Sequence, residues 1–220
     1  MNLNKKEKVR AIKIFDRLAQ EYPAVKPGLE YESAFELLIS TILSAQCTDE
    51  RVNIVTGKLF KKYIKPADFS NASLKELEKD IFSTGYYRQK AKHIKKCCTQ
   101  LINNHNGKVP QNFDELIKLS GVGRKTASVV AGNAFGIPAI AVDTHVMRLS
   151  NLLGFIKSKH QEKIEFRLKE LLPENYWINA SHWLAIHGRE VCAANRPQCN
   201  NCVLDKLCPS VNSTSKSKGK

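Results

Sequence analysis

Leu119-Ser120-Gly121-Val122-Gly123-Arg124-Lys125-Thr126-Ala127 is the stretch on which the reading of this chain turns. Two glycines one residue apart let the backbone turn tightly and point its N–H groups outward, and a helix starting immediately after them adds its positive end. An anion fits there, with Lys125 beside it. A Walker A loop is excluded, because Arg124 stands where that motif needs the glycine before its lysine; a dinucleotide fingerprint is excluded by Thr126 at the third glycine position. Upstream, Phe113, Leu116, Ile117 and Leu119 recur at helical spacing, so the unit reads helix, hairpin, helix.

Outward from the hairpin the helical period continues. Val129, Val130, Ala131 and Ala134 extend the segment after it, and Ala91, Ile94, Cys98 and Leu101 form an apolar stripe on an earlier helix. Ser33 with Glu36, and Ser73 with Glu76, have the spacing of capping boxes, the first ahead of an almost wholly apolar run from Phe35 to Leu43 that suits a buried helix. The short run from Ile137 to Val142 contains Pro138 and reads as a loop into a helix capped by Asp143. The expected fold class is all-α.

The chain has 220 residues, enough for one domain or two closely joined small ones. Thirty-five Lys and Arg against twenty-one Asp and Glu give a formal charge of +14, which favours a polyanionic partner, nucleic acid ahead of anionic membrane. The N-terminus is charged from Lys5 onward without the apolar core of a signal peptide, and no apolar run approaches bilayer-spanning length, so the expectation is a soluble, cytoplasmic protein. Residues 210–220 are rich in Ser and Lys and read as a disordered basic tail.

Seven cysteines in a chain without an export signal argue against a disulfide framework. Cys192, Cys199, Cys202 and Cys208 lie within seventeen residues, separated by six, two and five, in a segment containing Pro197 and Pro209. Such loop-borne thiolates can converge on a metal, and zinc and an iron–sulfur cluster both accept four cysteines. Cys47, Cys97 and Cys98 lie on helical segments and suit ordinary small core residues. Lys125 at a helix N-terminus reads either as a phosphate contact or as a nucleophilic amine. Asp143 caps its helix in the simplest account, and a cap carboxylate can also take a proton or stabilise a cation. His145, His182 and His187 suit hydrogen-bonded core histidines.

Taken in order, LSGVGRKTA, then Val142-Asp143-Thr144-His145 with its carboxylate eighteen residues after the lysine, then His187-Gly188-Arg189 and the four cysteines closely resemble the bacterial endonuclease III family. Ile42-Leu43-Ser44-Ala45-Gln46, followed by Cys47-Thr48-Asp49, matches a further segment of that family. The resemblance covers nearly the whole chain. It implies a helix-hairpin-helix DNA glycosylase fold with a DNA-binding cleft between two helical domains. The expected boundaries are 28–136 for a six-helix domain that holds the hairpin, and 1–27 with 137–209 for a discontinuous second helical domain that carries a cluster loop. It also implies a bifunctional glycosylase and abasic-site lyase that removes oxidised pyrimidines from duplex DNA, with Lys125 as nucleophile and Asp143 as the essential carboxylate. One [4Fe-4S] cluster would be held by Cys192, Cys199, Cys202 and Cys208. Gly121, Val122, Gly123 and Arg124 would contact DNA, and Gln46 would help fill the gap left by a flipped nucleotide. Flipping is required because a stacked base and its C1′ are out of reach inside an intact duplex. A monomer that acts on the nucleoid is expected, with no membrane partner.

The chain departs from the family pattern at two positions. Ser120 stands where the hairpin usually has proline; serine lacks the fixed φ but still makes the turn. In Gly85-Tyr86-Tyr87-Arg88, Tyr86 stands where a wedge leucine is common, and reads either as a ring that stacks in the same gap or as a buried aromatic. The rival enzyme reading is a monofunctional adenine-mismatch glycosylase, which usually lacks the lysine and carries a further C-terminal domain, so Lys125 and the short chain favour the lyase. Outside enzymes, the rivals are a noncatalytic DNA-binding module and an electron carrier; the carrier leaves both the charge and the hairpin unexplained.

Overall fold

The computed structural model describes residues 5–211 apart from 24 and 26, and among these it contains eleven α-helices, three short 3-10 turns and no strand. The chain divides into two compact units, Pro27–Ile137 and Met1–Lys26 with Pro138–Lys220. Of the basic segment from Ser210 onward, residues 212–220 lie outside the described residues, whereas the Ser210 hydroxyl donates to the Leu152 carbonyl at 2.7 Å.

In the Pro27–Ile137 unit the central element is α2 (Ala34–Leu43), in which every residue from Leu37 to Leu43 is buried. Each such leucine or isoleucine contributes about 1.5–3 kcal/mol by leaving water. Its start follows the Ser33 signal: the Ser33 hydroxyl accepts the Glu36 N–H at 3.1 Å, while the Glu36 carboxylate reaches back to the Glu32 N–H at 2.7 Å. α2 packs against α8 (Arg124–Phe135) and against α3 (Asp49–Lys62). The short helices α4 (Pro66–Asn71) and α5 (Leu74–Asp80) pack on α6 (Tyr87–His105), whose buried stripe is Ala91, Ile94, Cys97, Cys98 and Leu101. Ser73 caps α5 through the Glu76 N–H at 3.2 Å.

The other unit joins α1 (Lys5–Glu21) to helices from the far end of the chain. α1 packs on α10 (Gln161–Leu171) and α11 (Trp177–Glu190), and α9 (Thr144–Leu152) packs on α11. Phe15 sits at the centre, its ring 5.9 Å from Phe155 and 6.5 Å from Trp183. The segment Ile137–Asp143 is an irregular lead into α9, as its proline and aspartate require.

Candidate functional site

The hairpin is built on a very short first helix, α7 (Phe113–Leu116), capped by the Asn112 side chain, which accepts the Asp114 and Glu115 N–H groups at 2.8 and 3.1 Å. The apolar spacing from Phe113 to Leu119 overstates its length. After Leu116 the backbone tightens, with Leu119 N–H bonded to Leu116 O at 3.1 Å, and Ile117 turns outward at 36% exposure. Leu119 and Val122 are buried under the turn, so Val122 offers a ligand its backbone rather than its side chain. Gly121 has φ +81°, and a Cβ there would lie 2.9 Å from His93 Cβ. Gly123, with φ −93° and ψ 177°, caps α8, and a Cβ there would meet nothing within 4 Å. The first glycine is thus required by the fold, and the second leaves an open backbone face at the helix N-terminus, where a phosphate oxygen can approach the first N–H groups.

Ser120 does more than tolerate the turn. Its N–H, which proline would lack, donates to Gln100 Oε1 at 2.8 Å, and its hydroxyl lies 3.0 Å from His93 Nδ1. Gln100 Nε2 also donates to Lys118 O at 3.2 Å, so α6 grips both sides of the hairpin. Arg124 lies over the Phe113 ring at 5.3 Å, and Lys125, second residue of α8, is exposed.

Elsewhere in the same unit two turns carry Gln46 and Tyr86. Both have left-handed backbones, φ 53° and 48°, among only three non-glycine residues with positive φ in the described chain. The third, Asn106, is the C-cap of α6, a common place for that conformation, whereas Gln46 and Tyr86 hold it in exposed turns. Tyr86 is 68% exposed, which removes the alternative of a buried aromatic.

Asp143 belongs to the other unit. It is half-buried at the N-cap of α9 and accepts the Val146 N–H at 2.8 Å. The preceding loop is tied down by Ala141 N–H, which donates to Ser181 Oγ at 2.9 Å. His182 lies near enough to feel the carboxylate, although burial is the stronger influence and lowers its pKa. His145 packs against Gly188, where a Cβ would be 3.0 Å from the His145 Cβ, which explains the small residue in His187-Gly188-Arg189.

Cys192, Cys199, Cys202 and Cys208 all line one pocket, with Leu149, Leu153 and Leu204. Burial pushes the Cys192, Cys202 and Cys208 thiols up, so a cationic centre is what would keep them as thiolate ligands. Leu204 N–H points at Cys202 Sγ at 3.4 Å. Among the described residues no three of His, Cys, Asp and Glu draw close enough to hold a single ion. Four cysteines around one pocket are a donor set that zinc and an iron–sulfur cluster both accept. Three arginines brace this region through backbone carbonyls: Arg10 donates to Leu153 O and Leu207 O, Arg17 to Val203 O, and Arg148 to Cys192 O and Gly188 O. Burial, reinforced by Arg148, pushes the His187 imidazole down to about 4, and it lies between Tyr22 OH at 3.0 Å and Cys202 Sγ at 3.4 Å. Spacing revealed none of these supports, since an arginine bonded to a distant carbonyl has no sequence signature.

Residues 39–174 match the HhH-GPD superfamily of base excision DNA repair proteins. The chain is 46% identical over 206 residues to endonuclease III of Synechocystis sp. (strain ATCC 27184 / PCC 6803 / Kazusa), covering 93% of this chain and 94% of the relative. It is 40% identical over 201 residues to endonuclease III of Escherichia coli (strain K12), covering 91% and 95%. Its fold matches a trapped endonuclease III–DNA covalent intermediate, an estranged-adenine complex, with TM-score 0.91 and 45% identity over 95% of this chain and 99% of that one. No helix among the described residues is long and apolar enough to cross a membrane.

Proposed function

We infer the chemistry of this chain from one premise: it belongs to the endonuclease III family, within the HhH-GPD superfamily of base excision DNA repair proteins. It is a DNA glycosylase and abasic-site lyase of base excision repair, and its substrate is duplex DNA. The finer reading assigns oxidised pyrimidines and abasic sites as the lesions, Lys125 as nucleophile and Asp143 as the carboxylate. The observation that carries it is the exposed Lys125 two residues past Gly123, whose open backbone admits a phosphate.

In this reading the hairpin amides hold the strand while the damaged nucleotide is turned out of the stack. The free amine of Lys125 attacks C1′, the bond from C1′ to the base breaks, and the base departs with a proton. Ring opening leaves a Schiff base between C1′ and Nζ. Loss of a C2′ proton then expels the 3′ phosphate by β-elimination, and water hydrolyses the imine to free the lysine. Asp143 takes the ammonium proton or balances the cationic sugar.

The four cysteines are assigned one [4Fe-4S] cluster, supported by their shared pocket and by the resemblance to endonuclease III over nearly the whole chain. Bound there, the cluster would supply four thiolate bonds that tie the loop together and add to folding free energy.

The purified holoprotein tests both parts. It should nick duplexes containing thymine glycol or an abasic site, form a borohydride-stable adduct, and contain about four iron atoms per chain. Base release without nicking would move the assignment to a monofunctional glycosylase, and one zinc with no iron would refute the cluster.

The two hairpin glycines should respond differently to substitution. Gly121→Ala is expected to lose about 1–3 kcal/mol in a urea melt, from the left-handed backbone and the contact with His93. Gly123→Ala should cost at most about 1 kcal/mol of stability while weakening duplex binding, because its methyl group occupies the phosphate approach. Equal stability losses would contradict this division of roles.

A further inference from the structure

Lys90, in the first turn of α6, is 4% exposed, yet it belongs to no part of the chemistry above. Its ammonium donates to Leu43 O at 2.7 Å and to Thr84 O at 2.8 Å. These carbonyls end two helical segments: Leu43 is the last residue of α2, and Thr84 is the last residue of the 3-10 turn Phe82–Thr84. Three residues beyond Leu43 stands Gln46, and two beyond Thr84 stands Tyr86, the two left-handed surface residues. A cation at two helix C-termini satisfies carbonyls that have no partner within their own helices and is favoured by their negative ends. Burial disfavours the charged lysine and lowers its pKa, with Cys47 acting in the opposite direction, and the two carbonyls give the ammonium its hydrogen-bond partners. A buried charge is an expensive way to join two loops, and an apolar residue would fill the same space without tying their carbonyls together.

We propose that Lys90 is the positioning residue that locks the Gln46 and Tyr86 turns together, so that both side chains are preset to enter the gap opened by a flipped nucleotide. The proposal rests on the reading of Gln46 and Tyr86 as gap-filling residues. Lys90 acts through them and touches no DNA itself.

The test uses two duplexes, one undamaged and one carrying a tetrahydrofuran abasic analogue opposite 2-aminopurine, whose fluorescence reports unstacking. Lys90→Met should weaken analogue binding roughly 10- to 100-fold and abolish the fluorescence change, while leaving undamaged-duplex affinity within about twofold. Lys90→Gln, which keeps an N–H donor, should fall between Met and wild type, and serves if the Met variant does not fold. Gln46→Ala and Tyr86→Ala should each weaken analogue binding, and Lys90→Met should add nothing to their double variant. If those two variants lose the signal while both Lys90 variants retain it, the proposal is overturned alone. Parallel losses on both duplexes would make Lys90 merely structural and overturn it as well. If Gln46→Ala and Tyr86→Ala change nothing, the gap-filling reading fails first and the proposal falls with it.

Discussion

Lys125→Ala is expected to yield no borohydride-trapped adduct on abasic duplex and to lower strand cleavage by at least about a thousandfold. The adduct requires a nitrogen bonded to C1′, and alanine supplies none. Lys125→Arg sharpens the test: the guanidinium keeps a positive charge beside the hairpin but remains protonated and so is not a nucleophile. If Lys125 acts chiefly as a phosphate contact, the arginine variant should retain cleavage. If it is the nucleophile, that variant should bind abasic duplex within a few-fold of wild type, with a similar salt dependence, and form no adduct. Because Lys125 is exposed, neither change should shift the melting midpoint by more than about 0.5 kcal/mol equivalent. Trapping that persists in the alanine variant would remove Lys125 from the chemistry.

Asp143→Asn is the second large effect, and it separates two functions of one carboxylate. Asn caps helices about as well as Asp, so the bond from the Val146 N–H to the side-chain oxygen at position 143 should survive, with stability within about 0.5 kcal/mol of wild type. What is lost is the negative charge and the ability to take a proton. Cleavage and adduct formation should therefore fall roughly 100- to 10,000-fold. Asp143→Ala should lose activity to a similar degree and also about 1 kcal/mol of stability, because the cap goes too. An Asn variant with near-normal turnover would reduce Asp143 to its helix cap.

The structure adds weight to some of the readings made from motif and spacing and redraws others. The serines at positions 33 and 73 cap their helices, because an N-cap bond is satisfied within four residues of chain, but the glutamates of the two boxes turn elsewhere, Glu36 to the Glu32 N–H and Glu76 to Lys62. The helix ahead of the hairpin is shorter than its apolar period, since Leu119 is drawn under the turn by packing rather than by helical propagation. Ser120, a departure in the hairpin pattern, is explained only by Gln100 and His93, twenty and twenty-seven residues away.

What the amino-acid sequence determined by itself is the helical class, the hairpin that places Lys125 at a helix start, the capping aspartate, and four cysteines close enough in the chain to converge. All of these rest on interactions between residues near one another in sequence, where spacing stands in for geometry. Only the tertiary structure decided which glycine the backbone needs, that Tyr86 faces solvent, that the four cysteines share a pocket, and that Lys90 joins the Leu43 and Thr84 carbonyls. A side chain that bonds a backbone carbonyl forty-seven residues away leaves no periodicity and no motif, because every residue type except the donor is free to vary around it.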